Sequence, residues 1–513
     1  MTPSLLDALA PLPGLAAAHV LLSAAALGLA LAIALPLGLA AARRPRLAAV
    51  SLGVAGLIQT IPGLALLALF YPLLLGLSAL LGGGVPALGF LPSLLALALY
   101  ALLPILRNMV AGLRGIDRAV LDAADGVGMT PVQRLRLVEA PLAAPVVMAG
   151  IRTATVWTIG AATLATTVGA ASLGNLIFAG LQTENWVLVL AGCIAAAALA
   201  LAADWLLALI EHGIAKRRRL WILLGAAGVT AGIAAAALPL LMPEPRAVVV
   251  GAKNFSEQYI LARIIGARLE RAGYRVSYRE GLGSAVILRA LQAGDVDVYV
   301  DYSGTIWSDT MGRTDHPPRA AMNAAIGTWL AKRSGARLVG AIGFENAYAL
   351  AMRADAAKAL GIRTIADLAA HAPQRALGAD LEFLSRPEWT SLERAYHLRF
   401  RETRAYAPSF MYRALSAGQA DVISAFSSDG RIAAQHLVLL DDPARALPAY
   451  DALLLVSPAH AHDAHFIAAL QPLVGAISVE RMREANYMVD RDTGKASPDA
   501  AARWLDERPR PSP

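Results

Sequence analysis

Three carboxylates fall close together in GDVDVYVDY: Asp295, Asp297 and Asp301. Their i, i+2, i+6 spacing puts them on one face of a strand. Grouped oxygen donors suit a hard cation, but the glycine that a calcium loop requires is absent. The stretch GLGSAV (281–286) has the glycines of a phosphate-cradling loop without its lysine, and no G-x-x-x-x-G-K-[ST] occurs in the chain. The nine histidines show no zinc spacing. Ser, His and Asp form no nucleophile elbow. Cys193 is the single cysteine and lies in an apolar run, so no intrachain disulfide is possible. No catalytic residue, metal site or cofactor follows from these patterns.

The elements around these residues divide the chain in two. Of its 513 residues 57% are hydrophobic and only 16% charged, with a mean hydropathy of +0.53. That is a membrane-class composition. Residues 1–219 hold 8 acids and 13 bases, and the rest hold 30 acids and 32 bases. The first part therefore reads as lipid-embedded and the second as soluble. Most of the net +7 lies in the first part. It is read as basic loops at a membrane surface, not as a nucleic-acid footprint.

Apolar runs of about 20 residues predict spans over 16–41, 48–75, 88–106, 144–168, 186–211 and 220–241. The Gly-rich stretch 76–87 stays unassigned. Arg43, Arg44 and Arg46 follow the first span, five arginines between 107 and 136 follow the third, and Lys216 to Arg219 follow the fifth. The loops around 76–87 and 169–185 hold no Lys or Arg. The positive-inside bias then puts the odd-numbered loops in the cytoplasm, with the amino terminus and everything after the sixth span outside. The run KRRRLWILLGAAGVTAGIAAAALPLLMPEP (216–245) has the make-up of a signal peptide. At about 22 apolar residues it exceeds the usual signal-peptide core. It reads as the sixth span with a short exit linker to about residue 246; cleavage near Ala234–Ala237 is the alternative.

The third basic loop contains DAADGVGMTPVQRLRLVEAP. Its charges and small residues predict a short helix, a turn at Gly128 and a second helix, with Thr130 as cap and Pro131 at its first position. This stretch resembles the "EAA" loop of ABC importer permeases. Asp122, Ala123, Ala124, Gly128, Val138, Ala140 and Pro141 fall on that pattern. Asp122 replaces the usual Glu, and Ala140 a larger aliphatic. The resemblance implies a coupling helix that docks in a groove of a separate ATP-binding subunit. QTIPGLALLALFYPLL (59–74) is similar to the second-span region of osmoprotectant permeases, and the likeness covers most of 16–215.

From Ala247 the pattern changes to alternating strands and helices, which predicts an α/β region with mostly parallel sheets. This half resembles the substrate-binding proteins of osmoprotectant uptake systems. The resemblance is carried by GAKNFSEQYIL (251–261), GLGSAVILRALQAGDVDVYVDYSGT (281–305), ENAYALAMR (345–353), LEFLSRPEW (381–389), MYRALSAGQADVISAFSSDGRI (411–432) and NYMVDRDTGK (486–495). It implies two α/β lobes of the type II periplasmic-binding-protein kind. Lobe one would be 247–346 plus 441–509, and lobe two 347–440. The whole is thus expected to be multidomain: an all-α transmembrane permease (1–215), a sixth span with exit linker (216–246) and a two-lobed binding domain (247–513).

The family's ligand carries a quaternary ammonium, which donates no hydrogen bond and is held by aromatic faces. A carboxylate on the same ligand needs Arg, Lys, hydroxyl or backbone donors. The resemblance assigns the aromatic box to Tyr302, Tyr348, Tyr412 and Phe426, with Phe426 standing where the family usually has tyrosine. It assigns polar roles to Lys253, Gln258, Thr305, Asn346, Glu382 and Arg386. Arg386 is the candidate for the ligand carboxylate; the competing reading makes it a structural partner of Glu382. Tyr299 is expected to pack along its strand. The resemblance further implies a homodimeric permease in the bacterial inner membrane, with the binding domain on the periplasmic or outer side. Expected ligands are glycine betaine, choline and related compatible solutes. Alternatives are another betaine such as ergothioneine, a membrane-anchored sensor, or an enzyme of lipid or cell-wall substrates.

Overall fold

The computed structural model describes residues 11–82, 85–182, 185–241, 247–315, 317–406, 408–491 and 493–507. The end of the exit linker, residues 242–246, lies outside the described residues. The chain divides into a helical unit, mainly 8–178 and 187–243, and an α/β unit, mainly 244–513.

Among the described residues of the helical unit five helices are long and apolar enough to cross a membrane: Leu12–Arg43, Phe90–Arg114, Pro131–Val168, Trp186–Ala215 and Arg219–Ala237. The span expected over 48–75 is not one helix. Pro45–Thr60 and Gly63–Ser78 meet at 101°. Pro62 explains the break, because its ring drives the preceding residue out of the helical region, and Ile61 is extended with ψ 125°. The carbonyl freed at Ile61 accepts the Tyr100 hydroxyl, and Gln59 Nε2 donates back to the Tyr100 carbonyl at 3.1 Å. Irregular backbone at membrane depth survives where such partners exist. Counting the bent pair as one span gives six. The helices Phe90–Arg114 and Ala140–Ala162 approach closely because Gly150 has no side chain. A Cβ there would stand 2.6 Å from Asn108 Cβ and 2.8 Å from the Pro104 carbonyl, the close contact that small residues permit between membrane helices.

The α/β unit holds two five-stranded sheets. The first has the order β2-β1-β3-β10-β4, from β1 (Val248–Lys253), β2 (Val276–Leu282), β3 (Val298–Tyr302), β4 (Arg337–Glu345) and β10 (Asp451–Val456). The second has the order β7-β6-β8-β5-β9, from β5 (Tyr348–Arg353), β6 (Ala376–Ala379), β7 (Glu402–Ala405), β8 (Val422–Phe426) and β9 (Leu437–Leu439). The sheets are mixed rather than mostly parallel. β10 runs antiparallel to β3 and β4, and β5 antiparallel to β8 and β9. The reason is connectivity: the chain leaves the first sheet after β4 and returns at β10, so the strands at the crossings enter against their neighbours. The two crossing segments are tied together where Asn346 N donates to the Tyr450 carbonyl at 3.0 Å. Helix Ser256–Arg271 packs on the first sheet through Ile260, Ile264 and Leu269, all essentially buried.

Candidate substrate cleft and coupling loop

A cleft of ≈ 440 Å³ lies between the two sheets of the α/β unit. Its positions come from strand ends and the turns after them, where backbone leaves the sheet and side chains face one another. Lys253 closes β1 and Phe255 follows it, Tyr302 closes β3, Tyr348 opens β5 and Phe426 closes β8.

The rings form a continuous wall. Phe255 stacks on Tyr302 at 6.2 Å between centroids and lies parallel to Phe426, 4° between planes, at 6.3 Å. Tyr348 meets Phe426 at 5.0 Å and Tyr450 edge-on at 5.6 Å. Tyr302 is pinned from behind: Gln258 Nε2 donates to its hydroxyl at 2.9 Å, and that hydroxyl donates to Glu257. Tyr412 lines no part of the cleft. It is buried, with the Arg431 guanidinium 4.1 Å over its ring, and Arg431 itself reaches the cleft wall.

The polar candidates divide in the same way. Gln258 is buried behind the wall and orients Tyr302. Lys253 lines the cleft, but its ammonium is paired with buried Asp301 and sits 5.2 Å from the Tyr302 centroid. Thr305 and Asn346 line the cleft, and Asn346 Nδ2 donates to Glu257 at 3.1 Å. Glu382 accepts from Arg386 and from Ser284 Oγ at 3.1 Å, which bridges the two sides. Arg386 therefore does bond Glu382. Yet its Nε and Nη1 are buried without a hydrogen-bond partner, Nη1 standing 4.0 Å from Glu388 Oε1, and its guanidinium stands 5.7 Å from the Tyr348 centroid. Buried donors left unpaired are costly, and a ligand carboxylate would satisfy them.

Several lining residues escape the sequence reading: Phe255, Glu257, Asp380, Asp429, Tyr450 and Asp490. Phe255 stands inside the stretch GAKNFSEQYIL and Asp490 inside NYMVDRDTGK, so a local signal was available for both; Tyr450 carries none. Five carboxylates (Glu257, Asp380, Glu382, Asp429, Asp490) face three bases (Lys253, Arg386, Arg431) across the cleft. This formal excess of negative charge favours a cation. Burial pushes Glu257 above the usual carboxylate range, opposed by hydrogen bonds from Ser428, Tyr302, Asn486 and Asn346. Burial also raises Asp380, and it pushes Asp490 up to about 6. Asp297 and Asp301 have other work. Asp297 accepts from Val249 N at 2.9 Å, and Asp301 pairs with Lys253 and Tyr299.

In the helical unit the loop 117–141 forms a helix Arg118–Gly126, a turn and a second helix from Pro131. Gly128 holds φ +78°, which glycine adopts without strain. Thr130 and Gln133 form a reciprocal capping box. Arg134 locks the turn by bonding Asp125 at 2.6 Å and Glu139 at 2.8 Å. Asp122, Ala123 and Pro141 are exposed, while Ala124 is buried. Val127 and Val132 are 74% and 58% exposed beside them, an apolar surface unpartnered within the chain.

A helical membrane unit joined to a two-sheet receptor with a ligand cleft defines a binding-protein-dependent importer. Residues 246–507 match the substrate binding domain of ABC-type glycine betaine transport systems, and residues 34–216 match the binding-protein-dependent transport system inner membrane component. The chain belongs to this ABC importer family, as a permease and substrate-binding subunit in one polypeptide. It is an integral membrane protein, and membership implies an ATP-binding partner and a small-molecule ligand. The ergothioneine transport permease/ergothioneine binding protein EgtU of Helicobacter pylori (strain G27) is 30% identical over 478 residues, covering 89% of this chain and 83% of that protein. The choline transport system permease protein OpuBB of Bacillus subtilis (strain 168) is 42% identical over 194 residues, 38% of this chain and 84% of that protein. Among solved structures, a glycine betaine/carnitine/choline ABC transporter is 26% identical with a TM-score of 0.45, covering 50% of this chain and 97% of that one.

Proposed function

We propose that this subunit captures a betaine, a solute with both a quaternary ammonium and a carboxylate, and delivers it to its own permease. The carrying observation is the juxtaposition of the Tyr302–Phe255–Phe426–Tyr348–Tyr450 ring wall with the Nε and Nη1 donors of Arg386, which have no hydrogen-bond partner and whose guanidinium is 5.7 Å from Tyr348. Rings hold the ammonium and Arg386 the carboxylate. The excess of carboxylates in the cleft supports the same polarity. Glycine betaine and carnitine meet this description, as does ergothioneine, the substrate in the name of the Helicobacter relative. Choline meets the ammonium half alone.

In this reading residues 1–215 are the permease, 216–246 the sixth span and exit linker, and 247–513 the receptor on the periplasmic or outer side. The basic loops keep the exposed 117–141 segment in the cytoplasm. There Asp122, Ala123, Val127 and Val132 dock an ATP-binding subunit, which hydrolyses the ATP. Two copies of the chain pair around the solute path. Tethering keeps the receptor at a high effective concentration beside its permease.

The test is calorimetry of the full chain in lipid nanodiscs against glycine betaine, carnitine, choline, ergothioneine and proline. Binding of at least one trimethylammonium compound, and no binding of proline, is expected. Proline binding as tightly as the best betaine would overturn the assignment.

A further inference from the structure

Glu257 lines the cleft from the first turn of helix Ser256–Arg271 and is only 3% exposed. Its hydrogen bonds come from four separate segments. The Tyr302 hydroxyl donates to Oε1, and Asn346 Nδ2 donates to the same oxygen at 3.1 Å. Asn486 Nδ2 donates to Oε2 at 2.9 Å, and the Ser428 side chain adds a further bond. What lies behind these donors fixes their direction. Gln258 Nε2 donates to the Val300 carbonyl at 3.0 Å and to the Tyr302 oxygen at 2.9 Å, so the single phenolic hydrogen points to Glu257. Asn486 Nδ2 also donates to the Ser428 carbonyl at 2.9 Å, which sets that amide the same way. Four donors match the four lone-pair sites of an ionised carboxylate.

Burial works against that charge, and nothing of opposite sign answers it. The three bases lining the cleft are committed elsewhere: Lys253 to Asp301, Arg386 to Glu382 and Arg431 to Asp429. Among the described residues no base pairs with Glu257. A buried carboxylate with hydrogen bonds but no counter-charge is costly until a cation arrives. Two of its donors, Tyr302 and Asn346, themselves line the cleft. The Tyr302 ring stacks on Phe255 in the aromatic wall. A phenol that gives its hydrogen bond to a carboxylate is polarised by it, which makes its π-face more negative toward a cation.

We infer that Glu257 is the counter-charge for the solute's ammonium and the positioning residue that holds and polarises Tyr302 against it. The inference rests on the betaine reading of the cleft. It also gives the cleft a means of choosing among ammonium ions. With its lone-pair sites occupied, Glu257 offers charge but no acceptor. A trimethylammonium has no hydrogen to donate and loses nothing there. An amine bearing N–H would leave its donors unpaired against Glu257.

The test is calorimetry of the full chain in nanodiscs with glycine betaine and with the tert-butylacetate anion, in which a carbon replaces the ammonium nitrogen. The two share shape and carboxylate, so the ratio of their affinities isolates the positive charge. Glu257→Gln, which removes the counter-charge, is expected to lower this ratio about tenfold or more. Glu257→Asp keeps the charge and should lower it less than about threefold. Tyr302→Phe keeps a ring but cuts its link to the carboxylate, and should lower the ratio about threefold. A purely structural role would weaken both solutes in parallel and leave the ratio alone. The parental ratio in either Glu257→Gln or Tyr302→Phe would therefore overturn the inference, as would equal falls in the Gln and Asp variants. Where Glu257→Gln does not fold, Tyr302→Phe decides alone. A parent chain that binds no quaternary ammonium would bring down the cleft reading first; a parent that binds glycine betaine, with variants that leave the ratio unmoved, brings down the role of Glu257 and nothing else.

Discussion

Replacing Tyr348 by leucine separates the aromatic box from mere cleft filling. Tyr348 is 7% exposed, and its ring lies 5.0 Å from Phe426, 5.0 Å from Phe383 and 5.6 Å from Tyr450. Leucine keeps most of the apolar contact and removes the π-face. A desolvated cation–π contact is worth about 0.5–2 kcal/mol, and the near-complete burial here argues for the upper half of that range. Affinity for a trimethylammonium solute should therefore weaken about 5- to 30-fold. Tyr348→Phe, which keeps the ring, should stay within about twofold. The assay is calorimetry on the full chain in nanodiscs, with thermal unfolding of each variant measured alongside. The lost ring pairs cost about 0.5–1.5 kcal/mol each in stability, so both variants must be compared at a temperature well below their transitions. Equal affinity in the Leu and Phe variants, with both folded, would refute the ring as a cation receptor.

Further outcomes follow from the same geometry. Arg386→Gln should weaken glycine betaine about 10- to 150-fold, the worth of a charge-assisted hydrogen bond, while choline, which has no carboxylate, changes little; parallel losses would make Arg386 a structural partner of Glu382 only. Asp490, raised by burial to about 6 from 3.8, is protonated more readily folded than unfolded. Its contribution to stability is full below 3.8 and is lost as pH rises through about 6, on the order of 3 kcal/mol. A bound cation favours the charged form, so affinity should rise across the same window, and Asp490→Asn should flatten both curves in pH-resolved calorimetry and unfolding. Gly128→Val puts a β-branched residue at φ +78°, a strained position. Solute-stimulated ATP hydrolysis should collapse with binding intact, and wild-type stimulation would remove the loop from the coupling path.

Some of this was legible in the chain because the signals are local. Apolar runs report transfer into lipid residue by residue, and so the spans near 16–41, 88–106, 144–168, 186–211 and 220–241 each correspond to an observed helix. The cap at Thr130 and the turn at Gly128 are likewise local, since each depends on a few neighbouring backbone groups. The broken second span shows the limit. Hydropathy over 48–75 is continuous, and only Pro62, with the Tyr100 hydroxyl arriving from another helix, turns the run through 101°.

The cleft divides along the same line. The resemblance singled out Tyr302, Tyr348 and Phe426, and all three line it. It also singled out Tyr412, whose side chain sits under Arg431. It missed Phe255, Tyr450 and Asp490, which lie far apart in sequence and meet because two chain crossings bring the strand ends of both sheets to one place. Sequence alone therefore determined which segments are apolar enough to span and which alternate as strands and helices, because those properties sum over neighbouring residues; the class of importer rested on resemblance to known families. Tertiary structure alone decided which rings share a wall, which donors of Arg386 lack a hydrogen-bond partner and which carboxylates crowd together. Those depend on distances between residues that the chain order does not constrain.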